Sequence, residues 1–383
     1  MQNMPKKIVI VAGEESGDIH AAKFIQELQQ THPNIRFSGI GGQQMQACGV
    51  EIVNDLANYG VTGLTEVFKQ IFKIKKAFRD IQNHLKQERP DLLILVDYPG
   101  FNLRLAKYAK QELGLKILYY ISPQVWGWKM SRVNTIRENV DKMAVILPFE
   151  KKLYADANVP VEFVGHPLTH AITVTKSVTT IKQQLNIEEN KLICAMLPGS
   201  RKSEIKNHMP IMCKSAKTLL KKYPNIHFVV PIAKSIDKSC VEKYLGNLAP
   251  HFTLSNLSAV ETMHCSNVVV VCSGTASFEC SLLAKPMCIV YRVSWLTYYA
   301  ATKFILVKFL GLCNLLADKM IVPELLQYDC NHHELSKTLS ELISNQEFTD
   351  KMIKNLQTIK HNISASTADI SISKLIAQEL AEI

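Results

Sequence analysis

An aspartate closes an otherwise apolar run in Asp91-Leu-Leu-Ile-Leu-Val-Asp97, and Pro99-Gly100 turns the chain immediately after it. A carboxylate at the C-terminal tip of a buried strand faces the crevice where open α/β sheets bind ligands, which suits Asp97 to general-base work. The alternative is a turn-capping aspartate, the commoner use of that residue type. Two further acid–base candidates, Glu14 and His20, belong to the turn Gly13-Glu14-Glu15-Ser16-Gly17-Asp18 and the helix behind it. That turn follows a strand at residues 6–12 and puts small residues and carboxylates at its end. It is not Gly-x-Gly-x-x-Gly, so a dinucleotide site is poorly supported. Anion chemistry is written twice in the second half of the chain. Four valines run into Ser273-Gly274-Thr275, a hydroxyl-rich turn opening a helix, where free N–H groups and the helix dipole attract negative charge. Glu279 lies one helical turn further on, placed to accept hydrogen bonds from a ribose. Pro198-Gly-Ser-Arg201 adds backbone donors and a guanidinium at another helix start, a pairing that suits phosphate oxygens. An ordinary capped helix behind a core strand has the same local pattern, so neither motif decides alone.

The elements that must position these groups alternate as strand and helix along most of the chain, which predicts parallel α/β sheets. At 383 residues, two domains are expected, with Gly165-His166-Pro167 as the hinge. The predicted division is 1–168, 169–350 and a helical C-terminal segment at 351–383 that packs back on the first domain. Ten cysteines occur without a Cys-x-x-Cys pair, several in apolar strands or helices, a pattern of reduced thiols and not of a disulfide frame or zinc site. Two lysines and a short apolar run do not make a signal peptide. No uncharged stretch of 18 apolar residues appears that would span a membrane. The net charge of +10 points toward an anionic partner: a phosphorylated small molecule, an acidic membrane surface or nucleic acid. Within residues 64–86, Phe68, Ile71, Phe72, Ile74 and Phe78 recur at helical steps among Lys69, Lys73, Lys75, Lys76 and Arg79. Such a helix either docks on a membrane surface or packs on a sheet with solvated lysines. Residues 295–316 form a second apolar stretch, interrupted by Lys303 and Lys308.

Two βα-rich halves facing one another across a cleft would bring a base from the first to a nucleotide bound by the second. No Asp-x-Asp occurs, so a divalent metal bridging a diphosphate is not indicated; helix N-termini and Arg201 can take that role. This combination predicts a metal-independent transferase using a nucleotide sugar, with no cofactor and no nucleic-acid partner.

Seven segments, in order, resemble the lipid-A-disaccharide synthase family: Gly13 to Asp18, Asp97-Tyr-Pro-Gly-Phe-Asn102, Ser122-Pro-Gln-Val-Trp-Gly-Trp128, Phe163-Val-Gly-His-Pro167, Leu197-Pro-Gly-Ser-Arg201, Ser273 to Glu279, and Asn314 with Pro323 to Gln327. The resemblance implies a GT-B fold and inverting transfer of 2,3-diacylglucosamine from UDP to 2,3-diacylglucosamine 1-phosphate. The β-1',6-linked disaccharide 1-phosphate of lipid A and UDP would be the products. It adds Ser16, Gly17, Asp18, Asn102, Gln124, Trp126 and Asn314 to Arg201, Ser273, Gly274, Thr275 and Glu279 as substrate binders. It also implies peripheral attachment to the anionic cytoplasmic face of the inner membrane, with Phe68, Lys69, Phe72, Lys73, Lys76 and Phe78 as contacts. Glu15 stands where the family often has Ala, and Gly100 where many members carry a second acid, which leaves Asp97 as the only carboxylate of its segment. Rival readings are another UDP-sugar enzyme of the same fold and a non-catalytic nucleotide- or membrane-binding protein.

Overall fold

The computed structural model describes residues 5–56, 64–123, 125, 131–168, 172, 174–233, 236–293, 308–365 and 368–382. Side chains in the helix that begins at Leu64 are described from residue 72 onward. Gln124, Trp126 and the side chains of Phe68 and Lys69 therefore lie outside the described residues, as does most of the 295–316 stretch.

The chain divides into two compact units, one of residues 1–167 and 366–383, the other of residues 168–365. In the first, strands β1 (Lys7–Ala12), β2 (Arg36–Ile40), β3 (Glu51–Asn54), β4 (Leu92–Val96), β5 (Ile117–Tyr120), β6 (Lys142–Val145) and β7 (Val161–Phe163) form a parallel sheet. Their order is β3-β2-β1-β4-β5-β6-β7. The second holds β8 (Leu192–Leu197), β9 (Ile226–Pro231), β10 (Phe252–Ser255), β11 (Val268–Cys272), β12 (Met287–Tyr291) and β13 (Glu324–Leu326), in the order β10-β9-β8-β11-β12-β13. All pairings are parallel. Helices cover both faces of such sheets, so the central strands are apolar throughout and do not alternate. Leu92–Val96 and Val268–Cys272 are buried at every position.

Strand order decides where ligands go. In both units the winding reverses beside the first strand, between β1 and β4 and between β8 and β11. Neighbouring loops diverge at that point and leave a crevice beyond the carboxyl ends of the strands. The Gly13 and Asp97 loops leave one reversal point, and the Pro198 and Ser273 loops leave the other.

The residues grouped as 351–383 on sequence pattern fall in two places. The Gln346–Ala365 helix stays with the second unit, where Met352, Leu356, Ile359 and Ile363 join its core. Only the Ile372–Ala381 helix belongs to the first unit. Its Leu375, Ile376 and Leu380 share a core with Phe24, Ile25 and Leu28 of the Glu15–Thr31 helix. Lys116, just before β5, pairs with Glu379 of that helix and with Glu382 at its C-cap, both at 2.9 Å.

Candidate active site

Asp97 and the next residue, Tyr98, both take φ of 47°, in the left-handed region. Neither is glycine, and consecutive residues there cost about 1–3 kcal/mol each unless the surroundings hold them. The surroundings do so at the Asp97 carbonyl, which accepts from Tyr119 Oη at 2.6 Å and Asn102 Nδ2 at 2.8 Å. Asn102 Nδ2 also reaches Val96 O at 3.1 Å and Val11 O at 3.3 Å, tying β4 to β1 at the reversal point. Asn102, expected to bind substrate, is fully buried, with its amide nitrogen directed at these backbone carbonyls. Its Oδ1 is buried without a hydrogen-bond partner among the described residues. Tyr98 is swung against Gly13, where a β-carbon would meet the ring at 2.3 Å. The loop after β1 needs that glycine for the close approach.

Burial, together with the negative charge of Glu14, raises the Asp97 carboxyl from its usual 3.8 to about 6. That is a useful value for a base that must be ionised near neutrality yet still bind a proton. His20 is pushed the other way, to about 4, by burial and then by Lys23, and its Nδ1 is buried without a hydrogen-bond partner among the described residues. His166 is lowered to about 3 by burial and by His20. Both are neutral imidazoles at physiological pH. Asp97 is therefore better matched to proton abstraction than His20, while Glu14 is exposed and acts on Asp97 through its charge.

The rest of the Gly13–Asp18 turn separates by role. Glu14 and Glu15 are exposed, Ser16 is half-buried, and the helix from Glu15 has no side-chain cap at its N-terminus. Gly17 is buried against Ala12 and Val96. Asp18, expected to bind substrate, is buried and faces the protein. Its carboxylate accepts from the N–H groups of Gly42 at 2.7 Å, Gln44 at 2.9 Å and Met45 at 3.0 Å, capping the Gln43–Ala47 helix.

In the second unit the two anion motifs, alike in sequence, differ in state. The Lys202–Lys222 helix is closed by its own side chain. Glu204 Oε2 accepts from Ser200 N at 2.9 Å and Arg201 N at 3.1 Å, while Oε1 lies 3.3 Å from the exposed Arg201 guanidinium. The carboxylate occupies the place a phosphate oxygen would take. An acid three residues past the N-cap is the sequence signal for this closure, and Glu204 supplies it. Among the described residues the Thr275–Leu282 helix has no such occupant. Gly274 precedes it at φ 144° with no side-chain cap, and both Gly274 and Thr275 are exposed. Its first N–H groups point away from the helix, open to an anion. Ser273 is half-buried, its N–H bonded to Val290 O at 3.2 Å. One turn on, burial raises the Glu279 carboxyl above its ordinary value. A donor from a ligand would reverse that cost.

Two further residues, His208 and Gln327, support these loops. His208 Nδ1 donates to Pro198 O at 2.8 Å while Nε2 accepts from Arg292 N at 3.0 Å, which fixes the tautomer and joins the loops after β8 and β12. Gln327 sits at φ 48° after β13 and pairs with both backbone groups of Val293. Asn314, expected at the substrate, is fully engaged within the protein. It donates to Val322 O and Glu324 Oε1 and accepts from Ile321 N and Val322 N, all at 2.7–2.9 Å. Of the surface residues expected at a membrane, Phe72 is 71% exposed beside exposed Lys73 and Lys76, whereas Phe78 is half-buried. Among the described residues no helix is long and apolar enough to cross a membrane.

Comparison with known proteins gives this geometry its family. Residues 8–378 match the model of the lipid-A-disaccharide synthetase family. Lipid-A-disaccharide synthase 1 of Legionella pneumophila (strain Lens) is 52% identical over 376 residues, 98% of each chain. The lipid-A-disaccharide synthase of Coxiella burnetii (strain CbuG_Q212) is 35% identical over 371 residues, 97% of this chain and 98% of that one. The crystal structure of UDP-GlcNAc 2-epimerase from Neisseria meningitidis bound to UDP-GlcNAc superposes with a TM-score of 0.62 at 15% identity, covering 98% of this chain and 100% of that chain. That of Acinetobacter baumannii MurG does so at 0.56 and 15%, over 99% and 100%. At such identities these two speak for the fold, which is GT-B. With near-complete coverage by the family model and by both relatives, the chain belongs to the lipid-A-disaccharide synthase family of glycosyltransferases.

Proposed function

We propose that the protein transfers 2,3-diacylglucosamine from its UDP conjugate to 2,3-diacylglucosamine 1-phosphate, with inversion, forming the β-1',6 linkage of the lipid A disaccharide 1-phosphate. Asp97 carries this reading: a carboxylate at the reversal point of the first sheet, on a strained backbone whose carbonyl is clamped, its pKa raised to about 6. As the acceptor's 6-hydroxyl oxygen attacks the anomeric carbon, Asp97 takes its proton and the sugar–phosphate bond breaks. UDP leaves with the bonding electrons. The charge growing on the diphosphate meets the open N–H groups at Gly274–Thr275 and the exposed Arg201 guanidinium, and Glu279 accepts from the ribose. Those fixed positive groups perform the electrostatic work for which other transferases use a metal ion. Phe72, with Lys73 and Lys76 and the neighbouring Phe68 and Lys69, brings the enzyme to the anionic cytoplasmic face of the inner membrane, where both substrates reside.

Turnover with the two acylated glucosamine substrates tests this reading. UDP release coupled to disaccharide formation is expected, in EDTA as well as in buffer. Replacing Asp97 with Asn is expected to cost about 10²–10⁴ in rate with UDP affinity retained. A near-normal rate in Asp97→Asn would move the base elsewhere, and a strict requirement for added Mg²⁺ would remove the metal-free scheme.

A further inference from the structure

A groove of about 360 Å³ opens in the first unit between the Leu64–Glu88 and Pro99–Leu113 helices. Its walls are Ile74, Phe78, Tyr98 and Phe101, and Lys75 and Arg104 stand at its rim. The volume is in the range of small-molecule sites. The aromatic walls brace one another. Phe78 meets Phe101 edge-on at 5.2 Å between centroids, and Tyr98 stacks on Phe101 at 5.8 Å. Tyr98 links the groove to the chemistry, since it is the residue after Asp97 and shares its left-handed backbone. Gly100 also lines the groove. A β-carbon built there meets nothing within 4 Å, and its backbone does not need glycine, so the missing side chain leaves open space.

We infer that this groove holds one acyl chain of the phosphorylated acceptor, with Lys75 and Arg104 meeting its phosphate. The inference rests on the acyl-sugar reading above and adds to it a subsite and a way of measuring the chain. Two properties of the groove select that occupant. Its walls are apolar, so each buried methylene strengthens binding roughly fourfold. Its two rim cations are exposed and make no ion pair with any described residue, which complements a ligand that is apolar along its length and anionic at one end. A chain anchored against Tyr98 would also keep the sugar close to Asp97, where a small displacement of the attacking hydroxyl weakens catalysis. The helix then serves two purposes on different faces: Phe72 projects outward, while Ile74 and Phe78 line the groove.

The test is steady-state kinetics in detergent micelles with the UDP donor saturating and acceptors of short and long acyl chains. Gly100→Leu fills the open space, and Ile74→Phe narrows the groove from the opposite wall should the first variant fold poorly. A tenfold or larger rise in KM for the long-chain acceptor is expected, with a smaller rise for the short one. Turnover number, UDP affinity and sedimentation with anionic vesicles should hold. Lys75→Gln with Arg104→Gln should raise KM for the 1-phosphate acceptor and not for its dephosphorylated analogue. A folded Gly100→Leu or Ile74→Phe protein with unchanged KM overturns the groove and leaves the transfer reading standing. So does a KM rise equal for both chain lengths, or one confined to the donor. Absence of turnover in the unsubstituted protein with any of these acceptors overturns both.

Discussion

Asp97 is costly to the fold in two ways, through its backbone and through its charge. Its folded pKa of about 6 lies above the ordinary 3.8, so between those values the folded chain holds a proton that the unfolded chain has released. Stability contributed at this position therefore declines as pH rises through that window. Asp97→Asn is expected to stabilise the protein by as much as about 3 kcal/mol at neutral pH, from a shift of about two units. The gain should vanish below about pH 4. Chemical denaturation of both proteins across pH checks it, and equal stabilities at pH 7 would contradict the raised value. The two histidines slope the other way, since unfolded chains protonate first below 6.5 while His20 and His166 resist to about 4 and 3. They are common to both proteins and cancel. The same carboxyl predicts that kcat/KM falls on the acid side with a midpoint near pH 6, a limb that Asp97→Asn should lose. At the donor end, Glu279→Ala is expected to weaken UDP binding roughly ten- to hundredfold through lost charge-assisted hydrogen bonds. Calorimetry giving an unchanged affinity would place the ribose elsewhere.

Among the elements, the Leu64–Glu88 helix has the clearest division of labour. Ala77, Ile81 and Leu85 are fully buried in the core, while Lys73, Lys75, Lys76 and Arg79 are exposed. Phe72, 71% exposed, adds little to packing. Phe72→Ser should therefore leave the melting temperature within about a degree or two while reducing cosedimentation with anionic vesicles, because exposed substitutions rarely change stability by more than about 0.5 kcal/mol. Basic residues at such a surface contribute about 1 kcal/mol each and are screened by salt, so raising ionic strength should weaken what remains. Undiminished sedimentation at all salt concentrations would put the docking surface on another element.

At the scale of the whole molecule, the end of the chain completes its beginning. Ile376 is fully buried in the core that includes Phe24 and Ile25, more than three hundred residues away in sequence. Ile376→Ala is expected to cost about 2–5 kcal/mol, as deletion of a buried aliphatic side chain does. UDP affinity below the unfolding transition should be unaffected, since the donor residues lie in the second unit. A thermal melt that matches the parent protein would show the last helix to be dispensable to the first unit.

Much of this architecture follows from local chemistry. Unbroken apolar strands such as Leu92–Val96 and Val268–Cys272 require burial on both faces, and the helices between them allow only parallel pairing. The order of motifs along the chain, from Gly13 to Gln327, was likewise readable as a family signature, because its residues are contiguous. What residue type alone did not decide was the direction in which each polar group faces. Asp18 and Asn102 look like ligand-binding residues by type, yet the Asp18 carboxylate meets the backbone N–H groups of Gly42 and Met45 and the Asn102 amide nitrogen meets Val11 O, all brought near from distant segments. The two anion motifs, by contrast, are told apart locally: Glu204, three residues past Arg201, folds back onto Ser200 and Arg201 and closes one, while the helix from Thr275 has no side-chain cap. The strain at Asp97–Tyr98 and the groove beside it arise from packing among β1, β4 and two helices. Tertiary structure decided these features because desolvation and hydrogen-bond satisfaction depend on neighbours remote in sequence, whereas strand and helix formation depend largely on neighbours close by.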